Sequence, residues 1–174
     1  MKKWIAALMA VVMIMTMAAC GSGASEKPAL EGTMEEIANK IIEANPVEFM
    51  GGFIPVDLTD TSEDGVWAVN YNTGLKNGEK LTDIAVYEPM MGSMAFSLVL
   101  VRVADAKNAQ AVAKEMSGNI DTRKWICVEA NEKLVAGYGD VVMLIMLNSE
   151  LGLTAQSFVD TFQTICGAEL DFTI

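Results

Sequence analysis

The chain has 174 residues, of which 12 are basic, 23 are acidic and none is histidine. The lack of histidine excludes Ser-His-Asp and Cys-His catalysis, histidine-ligated zinc and an imidazole pH switch near neutrality. The net charge of −11 argues against nucleic-acid binding, because an acidic surface repels phosphates.

The first 19 residues have the three parts of a secretory signal peptide. Lys2 and Lys3 precede an apolar run, and small residues lead up to Cys20. The run is about 15 residues long, shorter than the roughly 20 that a membrane-spanning helix needs. A signal peptide is therefore favoured over an uncleaved transmembrane anchor.

The segment Met17-Ala18-Ala19-Cys20 resembles a bacterial lipobox, in which the cysteine thiol is joined to diacylglycerol before cleavage. The resemblance implies a mature chain that begins at Cys20 and is lipid-anchored at the extracellular face of the cell membrane. Two acyl chains suffice for stable anchoring. Without Lys2 and Lys3, the mature chain has 10 basic and 23 acidic residues, a net charge of −13.

Residues 20–32 are small and polar after the cysteine, which is typical of a flexible tether, and residues 33–174 have the length of one domain. Thr33 and Glu36 have the spacing of a capping box. Apolar residues at helical spacing follow until Asn45 and Pro46. We predict a first helix over this stretch.

Three strands are predicted next, at residues 66–71, 82–87 and 95–103, from their β-branched and aromatic content. Asp105 then caps a predicted helix that ends at Gly118. A further strand is predicted at residues 125–130.

Residues 133–138 and 141–147 are predicted strands joined by Gly139 and Asp140, which fit a type II′ hairpin turn. The strand at 141–147 is apolar at every position and should lie centrally in the sheet. Thr154 opens the last helix, Gly167 ends it, and Phe162 lies at the centre of its apolar stripe.

This order of elements predicts an α+β fold. Hairpins followed by helices indicate a two-layer sandwich, with a mainly antiparallel sheet of about five to six strands and helices on one face.

Two segments are candidates for contact with a ligand or partner. Met90 and Met91 lie in a loop between strands, where thioethers can ligate copper(I), form an adaptable contact surface or cap the core. Arg123, Lys124 and Trp125 form a basic-aromatic cluster. Its members either pack together, with a cation over the tryptophan ring, or contact sugars or an anionic envelope polymer.

Asp60, Ser62 and Asp64, followed by Gly65, have the start of a calcium loop. Such a loop needs a bidentate carboxylate at its twelfth position, which here is Tyr71. An acidic surface turn is the better interpretation, and no metal site or cofactor is predicted.

Cys127 and Cys166 remain as a pair once Cys20 is acylated, and an exported chain permits a disulfide between them. Both cysteines lie in apolar runs, where a reduced cysteine packs as a small apolar residue. We predict two separate buried thiols.

Four segments carry a resemblance to a known family: residues 82–93, 97–103, 121–130 and 139–146. Together they resemble small lipoproteins of unknown function from clostridial and related anaerobic Gram-positive bacteria. Arg123-Lys124-Trp125 with the three residues after it is the most specific part. The resemblance implies a lipid-anchored α+β domain from such a source, and it implies no activity, cofactor or catalytic residue.

The favoured hypothesis is a non-enzymatic binding domain at the cell envelope, with the membrane anchor and an envelope protein or polymer as its partners. No nucleophile motif such as Gly-x-Ser-x-Gly is present. The alternative is a carboxylate-based hydrolase acting on envelope material. It requires two facing acids about 5 to 9.5 Å apart if the substrate is a glycoside.

Overall fold

The computed structural model describes residues 29–174, so the signal peptide, the lipobox and Cys20 lie outside the described residues. The helices are α1 (Met34–Ala44), α2 (Glu63–Thr73), α3 (Ala109–Asn119) and α4 (Ala155–Cys166). The strands are β1 (Gly51–Phe53), β2 (Leu81–Pro89), β3 (Phe96–Val103), β4 (Glu132–Tyr138), β5 (Val141–Leu147) and β6 (Phe172–Thr173).

The strands form a six-stranded antiparallel sheet in the order β1-β2-β3-β5-β4-β6. This confirms the predicted α+β class and the antiparallel sheet. It also confirms the central position of β5, which pairs with β3 on one side and β4 on the other.

Helices cover both faces of the sheet, whereas the sequence predicted helices on one face only. Alternate residues of β5 enter two separate cores: Met143 and Ile145 pack with α1 and α4, and Val142 and Leu144 pack with α2 and α3. The physical reason is that β3 and β5 are largely apolar on both faces. A strand that is apolar on both faces must be covered on both.

The predicted ends of the first and last helices are confirmed. The Thr33 hydroxyl accepts from the Glu36 N–H, and the Glu36 carboxylate accepts from the Thr33 N–H, so the capping box is complete. Thr154 caps α4, and Gly167 ends it with a left-handed φ of 66°. Phe162 is fully buried beneath α4.

Residues 66–71, predicted as a strand, lie in helix α2 instead. The Ser62 side chain accepts from the Gly65 N–H, and Glu63 and Asp64 place negative charge at the helix N-terminus. Gly74 ends the helix with a φ of 76°. These signals at the two helix ends outweigh the β-forming residues between them. Two apolar side chains of the stretch, Val66 and Trp67, are exposed.

Residues 125–130, also predicted as a strand, belong to an irregular segment that we call the 121–131 loop. The short edge strands β1 and β6 were not predicted, because two or three residues carry too little periodicity. The hairpin between β4 and β5 is confirmed. Gly139 has a φ of 57° while Asp140 stays outside the positive-φ region, as a type II′ turn requires.

The sheet has two distinct ends. At the hairpin end, the Arg102 guanidinium binds the Asp140 carboxylate and donates to the carbonyls of Leu30 and Gly32. The last part of the predicted tether is therefore held to the fold at this end. At the opposite end, which we call the loop end, β2 finishes at Pro89, and the 121–131 loop leads into β4.

Candidate functional site

The loop end brings together the two segments that the sequence marked as candidate contacts. The Ile126 N–H donates to the Gly92 carbonyl at 2.8 Å, which joins the 121–131 loop to the turn carrying Met90 and Met91. A second link is the ion pair between Lys124 and Glu88, near the end of β2.

Lys124 is buried, with only 1% of its side chain exposed. Its Nζ lies 2.5 Å from Glu88 Oε1 and 3.5 Å from the Oγ of Ser97, a buried residue of β3. Burial lowers the pKa of Lys124, and the neighbouring Glu88 carboxylate partly opposes this effect. Lys124 therefore holds the loop in place and offers no surface to a partner, contrary to its prediction as a contact residue.

Aromatic rings surround the Lys124 ammonium. Its Nζ lies 4.9 Å from the centroid of the Tyr71 ring and 5.5 Å from that of Trp125, within the range of cation–π attraction. The Tyr71 hydroxyl donates to the Lys124 carbonyl at 3.0 Å, and Trp67 stacks on Tyr71. The predicted packing of a cation over Trp125 is confirmed.

The environment of Tyr71 leads to a testable pKa. Burial raises this pKa above its ordinary value of 10.0, and the negative charges of Glu88 and Asp121 raise it further. The pKa of Tyr71 is higher in the folded state than in the unfolded state. The contribution of the neutral Tyr71 phenol to the stability of the fold is therefore complete below pH 10 and is lost as pH rises through the folded pKa. The difference in ultraviolet phenolate absorbance between wild type and Tyr71→Phe should give a midpoint above 10. A midpoint at or below 10 would contradict the described environment.

Large apolar side chains are exposed at the loop end. Met50, Met90, Met91 and Ile126 are each between 56% and 76% exposed, and we call these four residues the methionine surface. The Met90 N–H donates to the Met50 carbonyl at 2.9 Å, and Gly92 joins the turn to Ile126. Met90 and Met91 therefore do not cap the core. Trp67, which stacks on Tyr71, is also exposed, on α2.

Arg123 remains exposed beside the methionine surface. Its Nε lies 3.4 Å from the Glu129 carboxylate, and both side chains are largely in solvent. They line a cavity of about 320 Å³ together with Trp125, Cys127 and Val128. The Trp125 Nε1 is buried and makes no hydrogen bond within the described chain.

The acidic stretch at residues 60–64 forms the entry to α2. Asp60 accepts from the Ser62 N–H at 2.9 Å, and hydrogen bonds from Ser62 hold the pKa of Asp60 below its usual range. Tyr71, at the twelfth position of the candidate calcium loop, lies inside the helix. Among residues 29–174, no group of three or more acidic or cysteine side chains is arranged to hold a metal ion.

Cys127 is exposed rather than buried, because its segment is a loop and not a strand. It has a left-handed φ of 61° and a free thiol, so no disulfide joins it to Cys166 at the end of α4. The two cysteines are not joined to each other, as predicted, but the predicted burial is wrong for Cys127, and Cys166 is only half-buried.

Native alkylation followed by intact-mass measurement tests this arrangement of thiols. We expect Cys127 to react first and Cys166, which is half-buried, to react more slowly. The fully denatured, unreduced protein should then accept one further adduct at the unreacted thiol. A mass two daltons low, with neither cysteine alkylated, would show a disulfide instead.

Sequence reasoning missed Glu88, Tyr71 and Trp67 as parts of this region. One signal was present, because Glu88 is a charged residue that directly follows the apolar and aromatic run from Ile84 to Tyr87 in β2. The placement of Tyr71 depended on recognising α2.

No family model, curated protein or solved structure matches this chain. Within residues 29–174, the helices are too short or too polar to cross a bilayer. The resemblance to clostridial lipoproteins stays a prediction.

Proposed function

We propose that the chain is a lipid-anchored binding domain that presents the methionine surface to a protein partner at the outer face of the cell membrane. The observation that supports this most directly is the exposure of Met50, Met90, Met91 and Ile126 together at one end of the fold. Clustered apolar side chains of this size commonly mark interaction sites in soluble domains.

The position of this surface favours a partner other than the membrane itself. Only residues 21–28 separate Cys20 from the described chain, and they span at most about 29 Å when fully extended. The chain enters the fold at the hairpin end, where Arg102 holds Leu30 and Gly32. From Asp83 to Pro89, β2 rises by about 20 Å toward the loop end. An anchor at Cys20 would thus enter the fold at the end opposite the methionine surface, which favours contact of this surface with a protein over contact with the lipid.

Charge and side-chain type define the partner further. The mature chain would carry a net charge of −13, so two copies would repel each other at long range, whereas a partner with a basic rim would be attracted. Methionine side chains are flexible and polarisable, which suits them to an apolar protein surface of irregular shape. We therefore propose a different protein with an apolar contact patch and basic flanks.

A photoreactive amino acid at position 91 tests this proposal in intact membranes. With the photoreactive amino acid at position 91, we expect an adduct to one polypeptide. With the same amino acid in place of Lys107, which is exposed near the hairpin end, we expect no such adduct. With the partner purified, Met91→Asp and Ile126→Asp should each weaken binding at least about tenfold, and Lys107→Asp less than about twofold. Adducts to lipid alone, or equal affinities for all variants, would contradict the proposal.

The anchor is tested separately at Cys20, the thiol of the predicted lipobox. Cys20→Ala should abolish labelling by a fatty-acid analogue and release the protein from the membrane, because one covalent attachment carries both acyl chains. The circular dichroism spectrum of the released protein should match that of wild type. Equal labelling of the variant and wild type would contradict the predicted lipid attachment at Cys20.

The carboxylate-based hydrolase has no supporting observation and stays a prediction. Glu88 is bound to Lys124, and Glu129 is paired with Arg123.

A further inference from the structure

We infer that a groove beside β2 binds an extended, positively charged peptide segment, which adds to the open edge of that strand. The groove has a volume of about 560 Å³ and lies outside the methionine surface. Its apolar lining includes Ile54, Pro55, Val56 and Ile84, and its acidic lining consists of Glu35 and Asp57. This inference does not depend on the proposed function.

The edge of β2 is open because β1 is short. β1 pairs only with residues 87–89 of β2, and the Ile54 N–H then donates to the Val86 carbonyl at 2.8 Å. Pro55 has no N–H with which to continue the ladder. No described strand pairs with residues 81–85 of β2 on this side.

The backbone of Ile84 provides a hydrogen-bond acceptor at the open edge of β2. Its N–H donates to the side chain of the preceding residue, Asp83, at 2.8 Å and not to a neighbouring strand. The N–H and C=O of a residue in an antiparallel strand point to the same side, so the Ile84 carbonyl also faces away from β3. That carbonyl can accept from the N–H of an added peptide, as in other cases of recognition by strand addition.

The charges of the groove select a cationic peptide. Asp57 accepts hydrogen bonds from the hydroxyl and N–H of Thr59, which hold its pKa below the usual range and keep it ionised. Glu35 lies in the first turn of α1, and none of the described lining residues is basic. In an extended peptide in which apolar and basic residues alternate, the apolar side chains contact the apolar lining and the basic side chains contact the two carboxylates.

The probe is an acetylated and amidated hexapeptide of alternating lysine and valine, titrated against the mature lipoprotein in a nonionic detergent. We expect saturable binding, with the largest amide chemical-shift changes at residues 54, 56, 57 and 84–86. A glutamate-valine peptide of the same length should bind at least tenfold more weakly. A lysine-valine peptide that is N-methylated on the edge-facing residues should lose binding to a similar extent, although its charge is unchanged.

Two variants localise the binding. Ile54→Lys places a cation in the groove and should weaken binding at least tenfold, whereas Val66→Lys, on the exposed side of α2, should change it less than twofold. Equal binding of the methylated peptide would overturn strand addition. Equal effects of the two lysine variants, or shifts centred on the methionine surface, would overturn the groove as the site.

Discussion

Replacement of Phe162 by alanine is expected to lower the free energy of unfolding by about 3–5 kcal/mol. The Phe162 side chain is fully buried in the core that α1 and α4 form with one face of the sheet. Truncation removes the apolar contacts of the ring and leaves a cavity that the surrounding side chains fill only in part. Chemical denaturation of wild type and variant gives the difference directly.

Gln163→Ala is the matched control, since Gln163 is the next residue of α4 and is exposed. Its effect should stay within about 0.5 kcal/mol. A loss below about 1 kcal/mol for Phe162→Ala would mean that the apolar stripe of α4 does not face the core.

Lys124→Met is expected to lower the free energy of unfolding by about 3–5 kcal/mol, because it leaves the buried Glu88 carboxylate without its cation. Glu88 is only 12% exposed and has Lys124 as its ion-pair partner. The variant also removes the cation between Tyr71 and Trp125. Denaturant titration at neutral pH measures this loss.

The double variant Lys124→Met, Glu88→Gln separates the charge effect from the packing effect. It should recover a large part of the loss, because neither partner then remains as a buried charge. Arg123→Ala is the surface control and should cost less than about 1 kcal/mol, since the Arg123–Glu129 pair is exposed. Additive losses in the double variant would contradict the buried ion pair.

The parts of the fold that the sequence predicted correctly are those with local signals. The capping box of Thr33 and Glu36 and the Thr154 cap determine where α1 and α4 begin. The Gly139-Asp140 turn fixes the register of β4 and β5, because a two-residue hairpin permits only one pairing.

The errors arose where local composition and tertiary environment disagree. Residues 66–71 are rich in β-forming side chains, yet Ser62 and Gly74 define a helix there, with Trp67 stacked on Tyr71 at its surface. The 121–131 loop is held by the Lys124–Glu88 pair and by the bond from Ile126 to Gly92. Such contacts between distant residues leave no period in the sequence.

The candidate site was predicted in pieces. Met90 and Arg123 were identified separately from their composition, but their proximity depends on the antiparallel sheet bringing the end of β2 next to the 121–131 loop. The inward position of Lys124 could not be predicted, because its buried partner Glu88 is distant in sequence.

We propose that a partner covers the methionine surface, and Cys127 provides a native reporter of that contact. Its exposed thiol follows Ile126 directly in the 121–131 loop. The most direct measurement is the alkylation rate of Cys127 in native membranes, at natural expression, compared with the purified lipoprotein in detergent. We predict a rate at least tenfold lower in membranes, restored to the purified value by Met91→Asp. Equal rates for wild type in the two preparations would contradict the claim.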